Sequence, residues 1–209
     1  MSVRHLFGVA FLLGCVESPA GRGALPLHAG DRLELVLLQK AFEPPPGADG
    51  AARFEVGWKD AGGAIRRIEG GPWLEALRYR DHAALVDDEE RLWLVHPRGA
   101  RHLLGTGVVG GPTVSYDARR LAWVERTGAL RVYDGHGART LARGLSSAGA
   151  MHFASQDTAL RFVGASPGGI AGWWELDVAS GRLRCLTNCS LRAGERWGNN
   201  FVPPHRGAP

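Results

Sequence analysis

The stretch Leu92-Trp93-Leu94-Val95-His96-Pro97-Arg98-Gly99-Ala100-Arg101-His102-Leu103 has a second copy 38 residues further on. That copy reads Leu130-Arg131-Val132-Tyr133-Asp134-Gly135-His136-Gly137-Ala138-Arg139-Thr140-Leu141, with Gly-Ala-Arg-x-Leu recurring in register. The same shift lays Ala83, Leu85 and Val86 on Leu121, Trp123 and Val124, and a shift of 39 lays these on Leu160, Phe162 and Val163. Trp174 to Leu183 repeats the order strand, Asp, turn glycine, strand, and a weaker copy covers Phe54 to Ile68.

Within the best unit four short apolar runs cover Thr113 to Tyr116, Arg120 to Glu125, Ala129 to Asp134 and Ala138 to Ala142. They are broken at Asp117-Ala118, Thr127-Gly128 and Gly135-His136-Gly137. Period-2 or continuous apolar runs of this length between turn residues predict strands joined by hairpins. A period near 40 residues with four strands per unit predicts β-propeller blades, because one such blade cannot bury both faces and must stack on its neighbours. The expected fold is all-β, a small or incomplete β-propeller of about four four-stranded blades over residues 31–190. Glu43-Pro44-Pro45-Pro46-Gly47-Ala48-Asp49-Gly50 interrupts the first unit as a loop or insertion. A closed small ring, an open arc and a fragment completed by association all fit this spacing; an unrelated β-sandwich is the structural alternative.

The unit resembles the TolB-type propeller repeat, a relative of the tryptophan-aspartate repeats. The matching residues are Pro112-Thr113-Val114-Ser115-Tyr116-Asp117-Ala118-Arg119-Arg120-Leu121-Ala122-Trp123 followed by Leu130 to Asp134. In the next unit they are Phe153-Ala154-Ser155-Gln156-Asp157, Leu160, Phe162, Leu176-Asp177 and Leu186-Thr187. The family's Pro and turn Gly are replaced by Tyr116 and Ala118, and by Gln156 and Thr158, over a likeness that covers residues 73–190. The resemblance implies a propeller body used for protein contacts in the cell envelope.

The composition agrees with a folded β body. Hydrophobic residues make up 44% and charged residues 22% of 209, which argues against wholesale disorder, and 30 glycines with 12 prolines disfavour long helices. The net charge of +4 is spread singly along the chain, and Arg66-Arg67 and Arg119-Arg120 are pairs beside turns. A nucleic-acid binder would cluster its basic residues among aromatics, so no nucleic-acid partner is expected.

The amino terminus reads as an export signal. Met1-Ser2-Val3-Arg4-His5 precedes the apolar Leu6 to Leu13, and residues 1–14 are expected to be a signal peptide. Leu12-Leu13-Gly14-Cys15 resembles the lipobox of bacterial lipoproteins. The resemblance implies cleavage before Cys15 and lipidation of that cysteine; two or more acyl chains hold a protein stably on a membrane. Residues 15–30 then form the lipidated cysteine and a Pro, Gly, Ala and Ser-rich tether, and the family's sorting rule makes Val16 point to the outer membrane. An ordinary secretory signal is the competing reading. With Cys15 used for lipid, Cys185 and Cys189 remain as an even pair, expected as a disulfide. Residues 191–209 form a tail without a strand pattern, in which Trp197 and Phe201 can pack on the last blade.

Other motifs carry no expected chemistry. Gly105-Thr106-Gly107-Val108-Val109-Gly110 has dinucleotide-loop spacing, but Gly111-Pro112 follows where a helix is required, so it reads as an inter-blade turn. Gly164-Ala165-Ser166-Pro167-Gly168 has nucleophile-elbow spacing, but it continues into a loop. Asp87-Asp88-Glu89-Glu90 is expected as a solvated hairpin tip, and the eight histidines lack metal-ligand spacing. Trp58, Trp93, Trp123, Trp173 and Trp174 lie in strand runs, and one of the adjacent pair Trp173 and Trp174 is a candidate exposed contact. No catalytic residue, metal or cofactor is expected. The reading is a lipid-anchored envelope protein that binds envelope proteins through its body and meets the membrane through its anchor. The runner-up is an extracytoplasmic propeller hydrolase or sugar-binding module, for which Asp117 and Asp157 are the nearest carboxylates, both also read as turn residues.

Overall fold

The computed structural model describes residues 33–43, 52–145, 147–165 and 170–192. These residues form four antiparallel sheets. The first contains β1 (Glu34–Phe42), β2 (Arg53–Lys59) and β3 (Ile65–Arg67). The second contains β4 (Glu75–Tyr79), β5 (His82–Val86), β6 (Leu92–Val95) and β7 (Arg101–Gly105). The third contains β8 (Val108–Val114), β9 (Leu121–Glu125), β10 (Leu130–Tyr133) and β11 (Ala138–Ala142), and the fourth β12 (Ser147–Ala154), β13 (Ala159–Ala165), β14 (Ile170–Asp177) and β15 (Leu183–Arg192). Each sheet follows chain order, as hairpins dictate, and the residues predicted as turns join the strands.

Alternation along the strands gives every sheet two packing faces. In the second sheet Ala83 and Leu85 face the first, joining Val56, Trp58, Ile68, Trp73 and Val95 in one apolar cluster. Ala84, Val86, Leu92 and Leu94 face the third sheet and meet Leu121 and Trp123. On the third sheet, Ala122, Val124, Leu130 and Val132 face the fourth and meet Leu160, Phe162 and Trp174. Leu85, Trp123 and Phe162, aligned by the sequence shifts, therefore occupy matching places in successive sheets, each on the face toward the preceding one, with Trp93 as the cross-strand partner of Leu85. A sandwich has one such interface; three in series are the stacking of propeller blades.

The first sheet has three strands among the described residues. The 38-residue shift places β2 under β6 and β3 under β7, so β1 holds the second position of a blade. Phe54 bridges Trp73 at the junction with the second sheet, and at the next two junctions the Val108 and Leu145 N–H groups donate to the Glu90 and Gly128 carbonyls. The Gly105 to Gly110 motif is the second of these junctions: the Val108 N–H donates to the Glu90 carbonyl and the Arg126 N–H to the Gly107 carbonyl.

Two expectations change. Asp87 begins a turn but is not solvated: it is only 4% exposed. Its Oδ1 accepts the N–H groups of Glu89 and Arg91, while its Oδ2 accepts Arg91 Nε at 2.7 Å and Trp93 Nε1 at 2.9 Å. A short carboxylate can saturate the donors of its own turn, and that draws it inward. Glu90 is also drawn in, pairing with Arg126 of the third sheet at 2.5 Å. Nor does either member of the Trp173-Trp174 pair stand exposed, at 9% and 8%, although they pair in register with Val163 and Phe162 on opposite faces.

Candidate functional site

Antiparallel strand order puts the turns between first and second strands, and those between third and fourth strands, at one end of every sheet. At this end arginines cross from sheet to sheet. Arg80 follows β4 with a φ of 55°, and its Nη2 donates to the carbonyls of Arg119 at 3.1 Å and Asp134 at 2.9 Å. The Tyr79 hydroxyl donates to the same Arg119 carbonyl at 2.8 Å, and burial pushes its phenol above the ordinary range. Arg120 Nη1 donates to the Asp157 carbonyl at 2.7 Å, and Arg139 Nη2 to the Val178 carbonyl at 2.6 Å, both in the fourth sheet.

These side chains surround a cavity of about 350 Å³ lined by Arg80, Arg119, Arg120, Val132, Asp134, His136 and Arg139. Asp134 is its one lining carboxylate. The Oδ1 of that residue accepts the N–H groups of His136 at 2.9 Å and Gly137 at 3.3 Å, and these hold the carboxyl below its ordinary value. Three of the four lining guanidiniums are held by carbonyl oxygens, and Arg119 approaches a carboxylate, Asp117, at 3.9 Å. Carbonyls satisfy N–H donors without cancelling charge, so the cavity is electropositive.

The neighbouring turn, Ser115 to Arg120, is fixed from both sides. Asp157, 5% exposed, accepts the Tyr116 N–H at 2.9 Å and the Asp117 N–H at 3.0 Å across the boundary between the third and fourth sheets. Asp117 accepts the Ser115 hydroxyl at 2.7 Å and the Arg119 N–H at 2.9 Å, and those two bonds lower its pKa. Tyr116 stands on this clamped turn with 80% of its surface exposed.

Asp117 and Asp157, the carboxylates nearest to a catalytic reading, are thus brought together, but as acceptors for backbone N–H groups. Cys185 lies on β15 opposite Trp174. The pairing of β14 with β15 jumps from Thr187 opposite Trp173 to Leu191 opposite Ala171, which puts Cys189 in an irregular stretch whose side chain lies outside the described residues. Cys15, the signal and tether, Ser166 and the tail beyond Arg192 lie outside them too. Sequence reasoning passed over the arginine cavity. Its available signals were the repeated Gly-Ala-Arg, which supplies Arg139, and the Arg119-Arg120 pair beside a turn.

No family model and no curated protein matches the chain. Solved structures do. A puromycin-hydrolyzing peptidase of Mycobacterium tuberculosis matches over 64% of this chain and 24% of its own, at 19% identity and a TM-score of 0.50. TolB from Acinetobacter baumannii matches over 64% of this chain and 37% of its own, at 16% identity and a TM-score of 0.45. A puromycin hydrolase matches over 64% and 24%, at 20% identity and a TM-score of 0.48. The chain spans between a quarter and about two-fifths of the length of these structures. At such identities the likeness concerns the fold alone.

Proposed function

We propose that this chain is a lipid-anchored cell-envelope protein whose propeller-like body is a protein-binding surface and which catalyses no reaction. The observation that carries the reading is Tyr116: a large aromatic, 80% exposed, on a turn whose backbone is clamped by the buried Asp157 of the next sheet. A rigid exposed Tyr beside arginines loses little entropy on contact, and Tyr and Arg are the residues that dominate interface hot spots. The engagement of both Asp157 oxygens by backbone N–H groups supports a holding role for this carboxylate over a proton-transfer role. The anchor rests on Leu12-Leu13-Gly14-Cys15, and the outer-membrane address on Val16. Cys185 and Cys189 join as a disulfide in this reading, in keeping with an oxidising compartment.

A photo-crosslinking side chain placed at position 116 in the full-length protein in cells tests the surface, with the same group at Arg143, on the link between third and fourth sheets, as the comparison. The expected result is one dominant envelope partner at position 116 that is absent at 143. Identical patterns at the two positions overturn the reading. Cys15→Ala is expected to abolish lipid labelling and membrane fractionation; unchanged attachment removes the anchor.

A further inference from the structure

We infer that the arginine-lined cavity at the turn end binds an acidic peptide segment of the partner protein, with carboxylates seated among Arg80, Arg119, Arg120 and Arg139. This inference rests on the protein-binding reading above and names the chemistry of the partner. Four guanidiniums meet at one cavity of about 350 Å³ against a single lining carboxylate. Asp134 is already engaged by the N–H groups of His136 and Gly137, and Arg80, Arg120 and Arg139 donate to carbonyl oxygens.

Holding arginines by carbonyls preorganises them and leaves the positive charge available. Building such a group costs free energy through mutual repulsion, and an incoming anion recovers it. Guanidinium and carboxylate then meet in the strongest common type of hydrogen bond, and the fork geometry of Arg fits the two carboxylate oxygens. The cavity is at the small end of the range for ligand sites, so it suits one or two acidic side chains of an extended segment. An extended polyanion such as a nucleic acid would need a long basic track with stacking aromatics, whereas the remaining basic residues of this chain are scattered. Tyr116 stands exposed on the turn that supplies Arg119 and Arg120.

The test uses fluorescence anisotropy on the full-length chain in detergent. The probe is a labelled hexapeptide of alternating Glu and Gly, compared with its Gln counterpart and with a single-stranded oligonucleotide of matched charge. The Glu peptide is expected to bind saturably and more weakly as salt rises, with the Gln peptide and the oligonucleotide at least about tenfold weaker. The inter-sheet bonds at Arg119 go to its backbone carbonyl, while its guanidinium approaches only Asp117 of its own turn among the described residues, so Arg119→Ala keeps the fold and is expected to weaken Glu-peptide binding about tenfold. Arg119→Glu is expected to abolish it, and Arg143→Ala at the opposite end to leave it unchanged. Equal binding of the Glu and Gln peptides, equal effects of Arg119→Ala and Arg143→Ala, or an oligonucleotide bound as tightly each overturn the assignment. Loss of peptide selectivity with the position-116 cross-link intact removes the acidic-segment inference alone. Loss of that cross-link with selectivity intact removes the surface reading instead.

Discussion

Asp87 shows how much one short side chain can hold in this body. Burial alone would raise its pKa, but the N–H of Arg91, the Trp93 indole and the Arg91 guanidinium outweigh that and hold it below the ordinary carboxylate range. A folded pKa below the unfolded value of about 3.9 means that the charged form stabilises the native state. That contribution is complete above the unfolded pKa and disappears as the pH falls through the folded one. Asp87→Asn keeps the shape but removes the charge and swaps one acceptor for a donor facing N–H groups. It is expected to lower unfolding stability by about 1–3 kcal/mol at neutral pH. Urea titrations at pH 7 and pH 3 check this, because the gap between wild type and variant should narrow at the lower pH; a constant gap would mean that the carboxylate's charge contributes nothing. Other turns carry backbone strain together with charge, as the Asp87 turn does at Glu90, whose φ is 59°. Ala118 has a φ of 54° where the resembled repeat has glycine, and Ser155, Gln156 and Asp157 in the next sheet have φ of 51°, 53° and 66°. Left-handed conformations cost such residues of order 1–2 kcal/mol each, and the Asp157 bonds to the preceding turn help to offset that.

At the scale of the element, the junction between sheets is the critical device. Gly128 ends the turn between β9 and β10 with a φ of 78°, and its carbonyl accepts the Leu145 N–H at 3.0 Å. A Cβ there would stand 2.5 Å from the Leu145 carbonyl oxygen and 2.9 Å from the Leu145 nitrogen. Both neighbours are backbone, so neither a rotamer change nor a side-chain shift relieves the overlap. Gly128→Ala is expected to cost about 2–4 kcal/mol, combining left-handed strain with the displaced link, read as a lower denaturation midpoint. Hydrogen exchange should open first at Leu145; an unchanged midpoint would mean that the link is not a support. Strand positions were legible because alternation and turn residues repeat with the period of the blade: β9, β10 and β11 lie within one residue of the runs read from Arg120 to Ala142. The first sheet was less legible. Its copy begins at Phe54, whereas β1 is read only by its pairing with β2 in space, with bulges near Leu37 and Lys40. The arginine cavity was illegible for a related reason: its members come from one turn of the second sheet and two of the third, and single arginines beside turns look alike until the sheets are stacked.

At the scale of the whole molecule, the four described sheets form a series. One cross-strand pair faces the following sheet at the same register each time: Ala84 with Leu94, then Ala122 with Val132, then Arg161 with Glu175. Where two sheets place apolar residues, the fourth places an ion pair that extends to Arg184 at 2.5 Å. On the first sheet, Glu55 is bonded to both Gln39 and Arg67 on the face turned away from the second. The face of the fourth sheet that carries Arg161 and Glu175 also carries Val163 opposite Trp173 and Ala165 opposite Ala171, so it is polar at that register and apolar beside it. In an open series of this kind the stability would be a sum of sheets and nearest-neighbour interfaces, with no second path around a ring to bypass a broken one. Trp123, fully buried between the second and third sheets, is the largest side chain of the middle interface. Trp123→Ala removes about 3–5 kcal/mol of packing there and leaves the first and last interfaces intact. Unfolding is therefore expected to separate into two steps, with amides of β9 to β11 and of β4 to β6 losing protection at different denaturant concentrations. A ring would redistribute the loss through its remaining interfaces and keep one transition, so a single coincident loss of protection in Trp123→Ala would show that the two ends support each other.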